Sequence, residues 1–249
     1  MFNIHDRDDL RDHVLNLAAT DSRVVAGAVV GSLALSDGDR WSDLDLTFSV
    51  ADDCPVLEVL EDWTSNIVRT FNAARLFDLP SGTSIYRVFL LPGCLQFDLS
   101  FTPASSFGAT GPKFRLLFGK SVERPFPPPP EAQALFGYAV HHALRARFCI
   151  ERGRLWQAEY WLSETRNSAL HLACLRRGLS PYHGRGFDDL PSDVHSIYRE
   201  AFAAELTRDE LLRALACAIS GLLHDPDGVQ ELAAKVRPQL LELIAEWGK

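Results

Sequence analysis

Long apolar runs are missing from this chain of 249 residues: none approaches the roughly 20 residues that cross a bilayer, so no membrane-spanning segment is expected. The opening Met1-Phe2-Asn3-Ile4-His5-Asp6 lacks the basic stretch followed by an apolar one that marks a secretory leader, and the expected location is the cytoplasm. Cysteine is sparse and scattered. Cys54, Cys94, Cys149, Cys174 and Cys217 form no CxxC pair, which argues against a disulfide framework or a zinc knuckle and leaves buried reduced thiols. The histidines are dispersed too, apart from His141-His142, so no transition-metal site is expected. Positive charge is in short supply, 25 Lys and Arg against 33 Asp and Glu, for a net charge of −8. Proteins that grip a polynucleotide usually present a basic face, so a nucleic-acid partner is not expected. An acidic surface suits a cationic small molecule instead. Internal repeats are absent.

What is present reads as two structural halves. The segment Arg124-Pro125-Phe126-Pro127-Pro128-Pro129-Pro130 can neither continue a helix nor sit in a central strand, and it favours extended polyproline geometry. It reads as a semi-rigid linker. Before it, strand and helix signals alternate. Residues 8–19 look helical, 23–30 look like a buried strand and 43–50 like a second strand. Residues 55–73 form a helix of about five turns. Residues 83–91 and 94–102 read as strands joined across a Pro92-Gly93 turn. After the linker the apolar period is helical over 131–152, 155–177, 192–204, 208–223 and 228–247. The expected domains are 1–120 with strands and helices, a linker at 121–130, and an all-helical domain at 131–249.

The chemistry concentrates in two short stretches. In Val29-Val30-Gly31-Ser32, a buried strand ends and opens a short helix. Gly31 lets the backbone approach a ligand with no Cβ in the way. Ser32 offers a hydroxyl and an N–H at a helix start, where unpaired amides and the dipole favour an anion. Further on, residues two apart in a strand share a face. Asp43, Asp45, Thr47 and Ser49 therefore lie on one face, solvated or ligand-bearing, and Leu44, Leu46, Phe48 and Val50 on the other. Two carboxylates so close repel unless a cation lies between them. Oxygen donors of this kind suit Mg²⁺. In the later strand, Leu95, Phe97, Leu99 and Phe101 alternate with Cys94, Gln96, Asp98 and Ser100, and Asp98 carries the only charge. If the two strands are neighbours, three carboxylates converge on one sheet face. Such a set can hold two metal ions for an in-line phosphoryl displacement. Asp98 is also a candidate to accept the proton of an attacking hydroxyl.

Gly31-Ser32, ten intervening residues, Asp43-Leu44-Asp45 and the later lone Asp98 resemble the nucleotidyltransferase superfamily over residues 23–103. That group includes aminoglycoside and lincosamide nucleotidyltransferases, polymerase-beta-like enzymes and terminal RNA nucleotidyltransferases. An α+β domain with a mixed sheet, followed by an all-α helical bundle, is similar to its antibiotic-modifying branch. The resemblance implies Mg²⁺-dependent transfer of a nucleoside monophosphate, AMP from ATP in the first instance, to a hydroxyl of a small molecule. An aminoglycoside- or lincosamide-type antibiotic would be such an acceptor, with pyrophosphate released. By the same resemblance Gly31 and Ser32 touch the triphosphate, Asp43 and Asp45 hold the metals, and Asp98 is third ligand or base. Several relatives use a glutamate as base; none follows this strand, so both roles stay open for Asp98. The alternative is a regulatory or antitoxin-like module that binds or modifies a partner protein.

The helical half offers weaker signals. Trp156, Tyr160, Trp161 and Leu162 read as core and interface residues. Glu159, Ser163, Arg166 and Leu170 fall on one helical stripe, where Glu159 and Arg166 are more simply a structural pair than a ligand site. Arg185, in the glycine-flanked loop 183–191, is the candidate triphosphate or acceptor contact. Lys113 reads as a surface residue. Arg166 and His171 match the Arg-x4-6-His pattern of helical ribonucleases, but they sit about 140° apart on a helix and share no face.

Overall fold

Alternating apolar side chains decide which face of the central strands turns inward. The computed structural model describes residues 1–35, 38–224 and 226–245, and the chain divides into two units, Met1–Pro127 and Pro128–Lys249. The first contains α1 (Ile4–Thr20), β1 (Val24–Val30), a 3₁₀ turn (Gly31–Ala34), β2 (Leu44–Val50), α2 (Val56–Phe71), β3 (Ala74–Ser81), β4 (Ser84–Leu91), β5 (Leu95–Pro103) and β6 (Phe114–Phe118). Its strands form one sheet in the order β3-β4-β5-β2-β1-β6. β2 and β5 pair in parallel and the other neighbours are antiparallel, so the sheet is mixed and the unit is α+β.

Leu44, Leu46, Phe48 and Val50 of β2 and Leu95, Phe97, Leu99 and Phe101 of β5 are each at most 1% exposed. They share a core with Leu10 and Val14 of α1 and with Val59, Leu60, Trp63 and Ile67 of α2. Each such side chain contributes about 1.5–3 kcal/mol on burial. A one-residue slip of either strand would turn four of them to the opposite face, which fixes the register and with it the acids between them.

Local signals set the ends of the elements. α1 starts at Ile4, earlier than the expected residue 8, because Asn3 and Asp6 form a capping box: the Asp6 N–H donates to Asn3 Oδ1 at 3.1 Å and the Asn3 N–H to Asp6 Oδ2 at 2.8 Å. α2 stops at Asn72, whose φ of 51° is left-handed. β3 and β6 carry no alternating pattern that marks them. β3 is an edge strand with Leu76, Phe77 and Leu79 exposed, and it is held by a buried arginine on its neighbour. Arg87 donates through Nε and Nη2 to the two Asp78 oxygens, through Nη2 to Glu61 Oε1 and through Nη1 to Thr64 Oγ1, each at 2.7 Å. One guanidinium thus ties β3 and α2 to β4.

Residues 121–131 have no regular structure and lead into the second unit. Its helices are α3 (Ala132–Glu151), α4 (Leu155–Arg176), α5 (Ser192–Arg199), α6 (Arg208–His224) and α7 (Gln230–Ala245). Residues 246–247 of the expected last helix lie outside the described residues. Ala139, Ala143 and Ala146 of α3 are fully buried in a core shared with Ala158 and Leu162 of α4 and with Leu211 and Leu215 of α6. α5 ends five residues before the expected 204. There the carbonyls of Glu200, Ala201 and Phe202 accept hydrogen bonds from Arg213, Arg166 and Arg213 respectively, which takes them out of a helical ladder. Of the aromatics read as core and interface residues, Trp156 and Tyr160 are exposed and lie outside the core. Among the described residues no helix is long and apolar enough to cross a membrane.

Candidate active site

The parallel pairing of β2 with β5 sets Asp45 directly beside Asp98. Asp43 precedes β2 by one residue on the same side. One carboxylate oxygen from each of Asp43, Asp45 and Asp98 lies within 4.8 Å of the others, and all three side chains are partly buried. The Asp98 carboxyl is held above the usual carboxylate range, first by burial and also by the Asp43 charge, while a hydrogen bond from Gln96 pulls the other way. Gln96 Nε2 donates to Asp98 Oδ1 at 3.0 Å. Crowded negative charge on an all-oxygen donor set fits a hard divalent cation.

Gly31 meets this cluster from β1. Its φ is 71°, and a Cβ built on it would lie 2.2 Å from Asp45 Oδ2. What the glycine lets close is therefore first of all the Asp45 carboxylate. The Gly31 N–H donates to the Lys113 carbonyl at 3.2 Å, so it is already engaged. Ser32 follows as the second residue of the 3₁₀ turn, partly exposed, among the first amides of a helical turn that have no intrahelical partner. Lys113, read from sequence as a plain surface residue, is thus one hydrogen bond from the glycine turn, and its side chain is exposed.

The face read as solvated or ligand-bearing is covered beyond its acids. Thr47 and Ser49 are buried, and so are Ser100 and Thr102 beside them on β5. Ser100 Oγ donates to Thr47 Oγ1 at 2.8 Å, and Ser84 and Thr102 share a hydrogen bond of 2.7 Å. The cover comes from the chain after β5: Phe107 and Phe114 pack on Ala26 and Ala28, which lie opposite Ser49 and Thr47 on this face. At the other end of the face Asp43, Asp45 and Asp98 are only partly buried.

Arg185 belongs to the second unit. It is exposed on the turn after α4, its N–H bonded to the Tyr182 carbonyl at 3.1 Å. Glu159 and Arg166 make no direct ion pair. Ser163 Oγ donates to Glu159 Oε1 at 2.9 Å, and Arg166 Nη2 donates to Ser163 Oγ at 3.1 Å. The Arg166 guanidinium also lies 3.9 Å from the Phe202 ring centre, so it braces the end of α5, whereas His171 packs on Phe187.

No protein-family model matches the chain, and no curated protein matches it. Among solved structures it is similar to an aminoglycoside 6-adenyltransferase from Bacillus subtilis, at 14% identity over 95% of this chain and 98% of that one, with a TM-score of 0.40. It is also similar to a nucleotidyltransferase-like protein from Exiguobacterium sibiricum, at 12% identity over 97% of this chain and 88% of that one, again with a TM-score of 0.40.

Proposed function

We propose that this chain is a Mg²⁺-dependent nucleotidyltransferase that transfers AMP from ATP to a hydroxyl of a small molecule. The observation that supports it most is the convergence of Asp43, Asp45 and Asp98 at one end of a sheet face, beside a glycine turn. Asp43 and Asp45 would hold the metal, with Asp98 as third ligand or base. Bound Mg²⁺ supplies charge neutralisation for the phosphates and for the oxygens of the attacking and leaving groups. The acceptor oxygen attacks the α-phosphorus, the bond from that phosphorus to the bridging oxygen breaks, and pyrophosphate leaves. The proton of the acceptor hydroxyl passes to the Asp98 carboxylate. Ser32 contributes its N–H and hydroxyl to the triphosphate.

The net charge of −8 favours a cationic acceptor over a polynucleotide, and aminoglycoside-type antibiotics are of that class. The test is acceptor-dependent pyrophosphate release with ATP and Mg²⁺ over a panel of aminoglycosides, lincosamides and RNAs. Release with a small molecule, absent in Asp43→Asn, is the expected result. Release at wild-type rate from that variant would remove the metal role and the proposal with it.

A further inference from the structure

The residues immediately ahead of Asp43 form an unusually constrained turn. The Trp41 N–H donates to Asp39 Oδ1 at 2.8 Å, the Asp39 N–H donates to Ser42 Oγ at 3.0 Å, and Ser42 Oγ donates back to Asp39 Oδ1 at 3.2 Å. From outside, the buried Arg7 of α1 donates through Nη1 to both the Asp39 and the Ser42 carbonyls, each at 2.8 Å. A buried guanidinium devoted to two main-chain oxygens fixes the turn as a unit, because leaving either group unmet inside the protein is costly.

What this turn displays is an indole. Trp41 is 59% exposed, and the Arg40 guanidinium lies over one face of it, 4.0 Å from the ring centre. A single exposed aromatic residue is ordinary on a protein surface. An indole more than half exposed, with a cation over one face and a hydrogen-bonded backbone two residues from Asp43, is a prepared stacking surface.

We infer that Trp41, backed by Arg40, is the platform on which the nucleobase of the donor stacks. The inference rests on the reading of the carboxylate cluster as a nucleotidyl-transfer site. With phosphates between the glycine turn and Asp43, the α-phosphate lies at the carboxylates and the nucleoside extends from it. Trp41 is two residues from Asp43, so their Cα atoms are at most about 7 Å apart, a separation within the reach of a nucleoside. Stacking on an indole is tolerant of base identity, so the site should accept several nucleoside triphosphates and favour the larger purine faces.

Calorimetric titration of the full-length protein with Mg²⁺–ATP and, separately, with Mg²⁺–tripolyphosphate separates the base from the phosphates. Trp41→Ala should weaken ATP binding on the order of tenfold. It should leave tripolyphosphate binding unchanged, and Trp41→Phe should recover most of the loss. Equal weakening of both ligands would overturn the inference, since Trp41 would then be acting through Asp43 or the turn. Unchanged ATP binding would overturn it as well, including the case where only the acceptor KM rises. Failure of the wild-type protein to bind either ligand would strike the proposed function itself, and the inference would fall with it. Tripolyphosphate binding that survives alongside an unaffected ATP affinity would remove the inference alone.

Discussion

Replacing Asp98 with asparagine should stabilise the metal-free protein while it stops turnover. Two unit charges 4.8 Å apart repel by about 1 kcal/mol in water and by about 3.5 kcal/mol at an effective dielectric of 20. Asp98 is partly buried between these limits, and in the unfolded chain it is far from Asp43. Removing its charge should therefore raise stability by about 2 kcal/mol, or about 5–10 °C in the melting temperature of a unit this size. The asparagine Oδ1 can still accept the Gln96 bond, so little is lost in exchange. The pH dependence has a definite sign. The folded chain holds the Asp98 proton more tightly than the unfolded chain does, so wild type and variant should converge below the unfolded value of about 3.9. Wild type should fall behind as pH rises through the folded pKa. Thermal melts in EDTA across that range, repeated with Mg²⁺ and nucleotide, make the measurement. Saturating metal should narrow the gap, because a cation among the carboxylates relieves the repulsion that only the wild type carries in full. An Asn variant no more stable than wild type at neutral pH in EDTA refutes the reasoning, because the carboxylates would then not be in electrostatic conflict.

Asp43→Asn and Asp45→Asn should each abolish pyrophosphate release yet keep the wild-type circular dichroism spectrum, since the apolar side of β2 is untouched; residual turnover near wild type counts against the metal assignment. For Asp98→Asn, Mg²⁺–nucleotide titration read beside the single-turnover rate distinguishes its roles: a lost base slows chemistry by roughly 10²–10⁴-fold with binding retained. A lost ligand weakens the metal instead. Gly31→Ala forces a Cβ onto the Asp45 carboxylate at a left-handed φ, so it should cost above roughly 1 kcal/mol and lower Mg²⁺ affinity. In the Arg87 network the acid should matter more than the base. Asp78→Ala leaves a buried guanidinium short of two bonds and should cost about 2–3 kcal/mol. Arg87→Met leaves two solvent-reachable acids with Arg75 still beside them and should cost about 1 kcal/mol by urea unfolding.

The parts of the site that lie within one strand were legible from sequence, and the parts that need two strands were not. Alternation around Asp45 and around Asp98 gave each acid its face, because one buried side per strand leaves a strict period of two. Their adjacency was only conditional, since Thr47 and Ser100 meet across 53 residues of chain and no local pattern encodes a distant pairing. Burial of Thr47 and Ser49 was hidden for a similar reason, the cover arriving from Phe107 and Phe114. β3 escaped notice because both its faces are largely exposed, which removes the alternation. Two signals were available and passed over. Arg87, the one charged residue of a mostly apolar β4, marks a buried ion pair, and Asp39 three residues ahead of Ser42 marks a side-chain-closed turn.

The parallel partnership of β2 and β5 also dictates when the protein can begin to work. β4 and β5 form a local hairpin, but β5 must then insert beside a strand made long before it, closing a loop of 53 residues between Thr47 and Ser100 at an entropic cost of about 3.5 kcal/mol. A nascent chain still short of Asp98 holds the glycine turn and two acids without the third. The three-acid cluster is complete only once β5 pairs with β2, so under the proposed function the return of turnover in refolding can be no faster than the seating of the β4–β5 hairpin against β2.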